Sequence, residues 1–189
     1  MSEANPLIQI QFPVPFDRIK AEHVEPAVKE LLAAARARLD DLGSNSLPGP
    51  LTFDATLIQL DSMTDRLDYA MGVIRHLESV ATYPELRAAY NAAQPEVSGF
   101  YSGIPLHAGL WNVIKSYAAT HEARGLKGTR KRFLTKTVEN FRRHGADLDA
   151  AGKARLEALD VELAKLTTKF SENVLDSTNA FELVLTDDH

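Results

Sequence analysis

The pair His121 and Glu122 is the feature of this sequence that lies closest to a known catalytic pattern. In the zinc-binding pattern HExxH, two histidines stand four residues apart on a helix so that both imidazoles face the metal, and the glutamate serves as general base. Here the position four residues after His121 is Gly125. The second ligand is missing, so the sequence predicts a solvated loop histidine. Four other histidines are isolated from one another, although a site built from distant elements stays open: His23, His76, His107 and His144.

A row of acidic residues, Asp61, Asp65 and Asp68, is spaced to share one face of a helix. Three carboxylates in a row can bind a cation or raise the pKa of one of their members. The alternative is a solvated face on which Arg66 and Arg75 reduce the repulsion between the carboxylates. This arrangement is affordable because like charges at helical spacing cost only tenths of a kcal/mol. We favour the solvated face.

Basic residues are concentrated between positions 124 and 143, and this basic run is the strongest local charge asymmetry. Its members are Arg124, Lys127, Arg130, Lys131, Arg132, Lys136, Arg142 and Arg143. The run could bind the phosphate groups of a nucleic acid. Phe133 and Phe141 are needed for the core, however, and do not supply the stacking aromatic residues of a protein that binds single-stranded nucleic acid. We expect it to attract an acidic peptide or another part of the same protein.

The sequence predicts no catalytic residue and no metal ligand, and it leaves the substrate-binding residues unknown. Neither the phosphate-binding pattern GxxxxGK[ST] nor the nucleophile turn GxSxG occurs. The chain has 189 residues, a net charge of -5 and no cysteine. Without a signal peptide or a long apolar stretch, we expect a cytoplasmic protein in one domain, residues 1–189, with neither nucleic acid nor membrane as partner.

The elements that must position these residues are mainly helices. The predicted helices run from Glu22 or His23 to Gly43, Asp54 to Leu77, Tyr83 to Tyr101, Pro105 to Ala119, Thr129 to Arg143, and from Asp149 onward. Pro95 predicts a kink or a break in the third helix. Alternating residues predict at most two short strands, Ile8–Phe12 and Phe181–Leu185, which could pair. The fold class is therefore all-α, with about six mostly antiparallel helices and a long C-terminal helix.

Three segments resemble the N-terminal part of the thimet-type zinc oligopeptidases, peptidase family M3, which includes the oligopeptidase A and dipeptidyl carboxypeptidase group. The first is Phe16–Ala27, with Glu22-His23 before a Pro-Ala helix start. The second joins Leu77–Val80 to Pro84–Tyr90. The third, Leu163–Asp187, contains Phe170–Thr178 and is similar to the helix that enters the body of the enzyme. Their order and spacing fit the family across essentially the whole chain.

This resemblance implies a longer parent metallopeptidase in which the present chain is the N-terminal helical domain. The family's zinc is held by an HExxH helix and a downstream glutamate, and none of those positions exists here. The domain would be inactive alone and would form one wall of a channel that admits short peptides, with its own catalytic domain as partner. The segment Asn173–Asp176 favours the oligopeptidase A side. The final strand-like run also predicts a chain that continues beyond His189.

Two other interpretations remain. One is a freestanding helical protein-interaction module whose long terminal helix docks a partner. The other is a helical nucleic-acid-binding domain that uses Arg124 to Arg143 and would show salt-sensitive binding.

Overall fold

The computed structural model describes residues 5–44 and 49–183 and confirms an all-α fold. In the described residues the α-helices are α1 Val24–Gly43, α2 Gln59–Ser62, α3 Asp65–Val80, α4 Pro84–Gly103, α5 Ala108–Ala118, α6 His121–Gly125, α7 Gly128–Arg143 and α8 Ala150–Ala180. A π-helical turn, Asp54–Ile58, leads into α2. Three 3-10 turns complete the helical elements: Phe16–Arg18, Ala21–His23 and Ile104–Leu106. No helix in these two ranges combines the length and apolarity needed to cross a membrane.

Helix α4 lies at the centre of the packing, since α1, α3 and α8 all contact it. Its buried side consists of apolar residues at helical spacing: Leu86, Ala89, Tyr90, Ala93, Val97 and Phe100. Of the kink or break predicted at Pro95, the break does not occur, because α4 runs through this residue. A proline inside a helix loses one backbone hydrogen bond. Contacts with three neighbouring helices compensate for the missing hydrogen bond and keep α4 continuous.

The predicted second helix is divided between α2 and α3 by Met63 and Thr64. The apolar residues of this region pack into two clusters, and the change from one to the other comes between Leu57 and Leu60. Leu57, upstream, belongs to a smaller cluster with Phe53, Tyr117, Ala123 and Leu134. Met63 and Leu67, in contrast, belong to the main core. The division leaves Asp61 in α2, and Asp65 and Asp68 in α3.

The segment Ile8–Phe12 forms no strand, so this prediction is wrong. The segment is instead fastened to helices by side chains. Arg66 of α3 donates two hydrogen bonds to the carbonyl oxygen of Ile8, at 2.9 and 2.7 Å. Asn5 donates to the His23 carbonyl oxygen at 2.8 Å and accepts from the amide of Leu7 at 3.0 Å. The bonds from Arg66 occupy the Ile8 carbonyl, a backbone group that a strand ladder would need.

The last helix begins as predicted, because the carboxylate of Asp149 accepts the amide hydrogen of Gly152 at 2.7 Å and caps α8. It continues to Ala180. The Thr178 hydroxyl donates to the carbonyl oxygen of Val174, four residues earlier, at 2.8 Å, which lets a polar residue remain helical. Residues 181–183 form no strand, and the rest of the predicted run, 184–185, lies outside the described residues.

We predict that Ile74→Ala lowers the free energy of unfolding by about 2 to 5 kcal/mol, measured by urea denaturation. Ile74 is completely buried in the main core, so the truncation leaves a cavity beneath α3. Val80→Ala on the same helix is the control, because Val80 is 67% exposed and its truncation should change stability by less than about 0.5 kcal/mol. Equal effects of the two substitutions would contradict this description of the core.

Candidate interaction surface

The His121-Glu122 pair has a structural part in the described fold. His121 opens the short helix α6, and is not in a loop as predicted, while the Thr120 hydroxyl oxygen caps this helix by accepting from the Ala123 amide at 3.1 Å. Glu122 Oε1 accepts the amide hydrogen of Phe53 at 3.1 Å. The carboxylate thereby joins α6 to the start of the π-helical turn. A sequence separation of 69 residues hides this contact from any local pattern.

The acidic row is divided and partly hydrogen-bonded. Asp68 accepts from the Thr64 hydroxyl at 2.7 Å and from the Tyr101 hydroxyl, and so ties α3 to α4. Burial and the bond to Asp68 raise the pKa of the Tyr101 phenol. Within residues 5–44 and 49–183, no group of three or more His, Asp or Glu side chains is placed to hold a metal ion.

The basic run does not form one continuous patch, because two of its arginines are engaged with acidic and aromatic groups. The Arg130 guanidinium lies 4.7 Å from the ring centroid of Phe53 and 3.5 Å from a carboxylate oxygen of Asp54. Arg142 Nε lies 3.7 Å from Asp147 Oδ2, and its guanidinium is 5.9 Å from the ring centroid of Trp111. These cations hold α7 to neighbouring elements.

The outward side of α7 keeps a smaller basic patch of Arg132, Lys136 and Arg143, with Glu139 among them. Lys136 Nζ donates to Glu139 Oε2 at 2.7 Å, and all three cations lower the pKa of this carboxyl, Lys136 most strongly. Their positions are exposed. The patch therefore has an excess of two positive charges over its one acid, which suits attraction of an anionic group.

Helix α8 is held to α4 by a polar seam that the sequence analysis missed. Glu172 is the buried residue of α8, and it accepts a hydrogen bond from the amide nitrogen of Asn91. Arg87 Nη1 donates to Asp176 Oδ1 at 2.8 Å, and Arg87 Nε lies 3.5 Å from Glu78 Oε1 of α3. The bond to Asp176 raises the pKa of Arg87. One arginine thus connects three helices.

An open groove of about 1010 Å³ runs between α3, α4 and α8 above this seam. Its walls carry charged, amide and hydroxyl groups, including Arg75, Gln94, Tyr101, Asp160 and Thr167. Such a lining can exchange hydrogen bonds with an extended backbone or with water. Apolar residues, among them Met71, Val97 and Leu163, complete the lining.

The side of α8 that turns away from α4 is apolar and open, and one of its residues, Leu163, also lines the edge of the groove. Five side chains on this side are at least half exposed: Leu159, Leu163, Leu166, Phe170 and Val174. We call these five residues the α8 stripe. The helical spacing of this region predicts a helix, but the prediction did not distinguish a second apolar side from the side that packs on α4. The steps of four, three, four and four residues between these five side chains could have indicated the second apolar side.

We predict that Arg87→Met loosens the C-terminal half of α8. Loss of the guanidinium leaves Glu78, whose side chain is 13% exposed, without its cation and removes the bond to Asp176. Amide hydrogen exchange over residues 168–180 should quicken by about tenfold or more, whereas exchange in α1 stays unchanged. Arg75→Met makes the same substitution at an exposed position in the groove and should leave α8 as it is; similar exchange in both variants would refute the role of the seam.

Comparison with known proteins places this helical body in a family. Residues 28–153 match the family model described as the neurolysin/thimet oligopeptidase N-terminal domain. The chain is 35% identical over 97% of its length to the organellar oligopeptidase A, chloroplastic/mitochondrial, of Arabidopsis thaliana, of which it covers 23%. It is 31% identical over 98% of its length to oligopeptidase A of Haemophilus influenzae, covering 27% of that protein. It is 26% identical over 99% of its length to dipeptidyl carboxypeptidase of Escherichia coli, covering 28% of that protein.

The chain thus spans about a quarter of the length of the curated relatives it matches. The matched family segment includes most of α1 and all of α2 to α7, and therefore the His121-Glu122 pair and the basic patch. The resemblance inferred from three short segments is confirmed over nearly the whole sequence. The chain belongs to the neurolysin/thimet oligopeptidase family and matches its N-terminal domain.

Proposed function

We propose that this chain is the non-catalytic helical N-terminal domain of a zinc-dependent oligopeptidase that hydrolyses short peptides. The observation that carries the proposal is the match of residues 28–153 to an oligopeptidase N-terminal domain. The relatives named as oligopeptidases are about four times longer, which leaves room for a catalytic domain after this one. A cytoplasmic location is part of the proposal, since a chain without cysteine suits a reducing compartment.

The hydrolytic step is assigned to the remainder of the parent protein. Zinc, when bound in such an enzyme, polarises the peptide carbonyl and activates a water for attack. The residues described here do not fit a zinc site, because Gly125 stands where a second histidine would be needed and Glu122 is bonded to the Phe53 amide. We therefore derive no catalytic step on this chain.

The contribution of the domain itself would be steric and electrostatic. A rigid helical body that faces the catalytic domain across a channel admits an extended peptide and excludes a folded protein. Helix α4, fixed by α1, α3 and α8, gives such a wall its rigidity. The patch of Arg132, Lys136 and Arg143 is our candidate for the charge that this wall presents to a peptide.

We predict that the isolated 189-residue chain, supplied with zinc, cleaves no short peptide, whereas the protein encoded by the continued reading frame does. The frame after His189 should reach an HExxH motif, and the longer protein should lose activity on treatment with a chelator. The measurement is cleavage of quenched fluorescent peptides of increasing length. Robust turnover by the 189-residue chain, or a stop codon directly after His189, would refute the proposed function; the stop codon would favour the freestanding interaction module.

We predict that reversing the charge of the basic patch in the longer protein lowers kcat/KM for acidic peptides selectively. In the triple variant R132E/K136E/R143E, loss of attraction should reduce the ratio of kcat/KM between acidic and neutral peptides by about fivefold to tenfold at low salt. A matched triple reversal on α1, K29E/R36E/R38E, is the control for net charge. Unchanged kinetics on both classes of peptide would remove the patch from the channel wall.

A further inference from the structure

Helix α8 has apolar side chains on two sides, and the described structure covers one of them. On the covered side, Val161 Cγ2 lies 3.6 Å from the position that a Cβ atom at Gly99 of α4 would take. Glu172 is buried on the same side through its bond to Asn91. With 3.6 residues per turn, the centre of the α8 stripe lies roughly opposite these contacts.

The α8 stripe is continuous and strongly exposed. The exposed fractions are 53% for Leu159, 62% for Leu163, 61% for Leu166, 69% for Phe170 and 50% for Val174. Their spacing places all five within about 80° of the helix surface and along about 22 Å of its axis. Steps of four and three residues are those at which one helix packs along another.

Exposure of this kind is costly in water, because each fully buried large aliphatic or aromatic side chain is worth about 1.5 to 3 kcal/mol. Monomeric proteins seldom leave a continuous apolar patch larger than a few hundred Å². The exposed apolar surface also continues past the end of α8, where Phe181 and Leu183 are 76% and 69% exposed. A partner that covers the stripe would gain most by following α8 toward this end.

We propose that the α8 stripe is the surface on which the remainder of the longer polypeptide, its catalytic part, packs an apolar helical face. This inference rests on the proposed function. About three quarters of the length of each relative lies outside the region matched here, so the occupant is available in the same chain. The stripe runs toward the end from which that polypeptide would continue.

The width of the stripe favours an attached partner over a separate one. A stable interface between separate molecules buries about 800 Å² on each partner, and a single row of five side chains on one helix offers less. A segment of the same chain acts at an effective concentration in the millimolar range and needs fewer contacts. A second copy of the 189-residue chain is therefore the weaker candidate.

The absence of cysteine in this chain allows a direct test by labelling single thiols. Leu166→Cys places a thiol in the stripe, and the matched control Lys165→Cys places one on the next residue, about 100° away around the helix. Each variant is made both in the 189-residue chain and in the longer protein. Maleimide labelling of the α8 peptide is followed by mass spectrometry, which separates it from any thiol elsewhere.

We expect L166C to label at least about tenfold more slowly in the longer protein than in the 189-residue chain, and K165C to label at similar rates in both. Equal rates for L166C in the two proteins, or equal slowing of both variants, would overturn the assignment. Slowing of L166C that grows with the concentration of the 189-residue chain would overturn it in favour of a second copy. A longer protein that cleaves peptides while L166C stays fully reactive refutes this inference alone; a reading frame that stops after His189 refutes the proposed function as well.

Discussion

Helix α4 has to satisfy apolar neighbours on one side and polar ones on another, and this constraint determines how the rest of the protein is arranged. Leu86, Ala93 and Val97 are buried in the main core, whereas Arg87 and Asn91 reach α8. The apolar contacts supply the bulk of the stability, because burial of apolar area is the main favourable term in folding. The polar contacts set the position of α8, since hydrogen bonds are directional and an unpaired buried carboxylate is costly.

Much of the helical framework could be predicted because the signals that begin helices are local. Pro84 at a first helical turn and Asp149 as a cap act within four residues of their own position, and α4 and α8 begin where they predict. The division at Met63 and Thr64 could not be predicted this way. The periodicity of the apolar residues continues across it, from Leu60 through Met63 to Leu67, and all three pack on the main core.

The candidate site likewise depends on contacts between residues that are distant in the sequence, which local patterns cannot predict. A run of basic residues in the sequence suggests one continuous basic patch. In the fold, Arg130 pairs with Asp54, which is 76 positions away in the sequence, and so is not part of the basic patch. Glu122 resembles a general base until its bond to the Phe53 amide is seen. Type and spacing predict what a side chain could do, whereas its partners, which are distant in sequence, decide what it is free to do. Arg132, Lys136 and Arg143, with Glu139 among them, share one exposed side of α7 and leave it with an excess of positive charge.

The polar seam fixes the position of the 31-residue helix α8 and, with it, the orientation of the α8 stripe. If α8 were fixed to α4 by apolar contacts alone, it could slide by a turn with little loss, because apolar packing is weakly directional. The bonds from Arg87 to Asp176 and from Asn91 to Glu172 define one register. They also hold the stripe at a fixed orientation on the far side of the helix. A helix placed so rigidly, with its second apolar side open, is suited to transmit the position of this domain to whatever packs against that side.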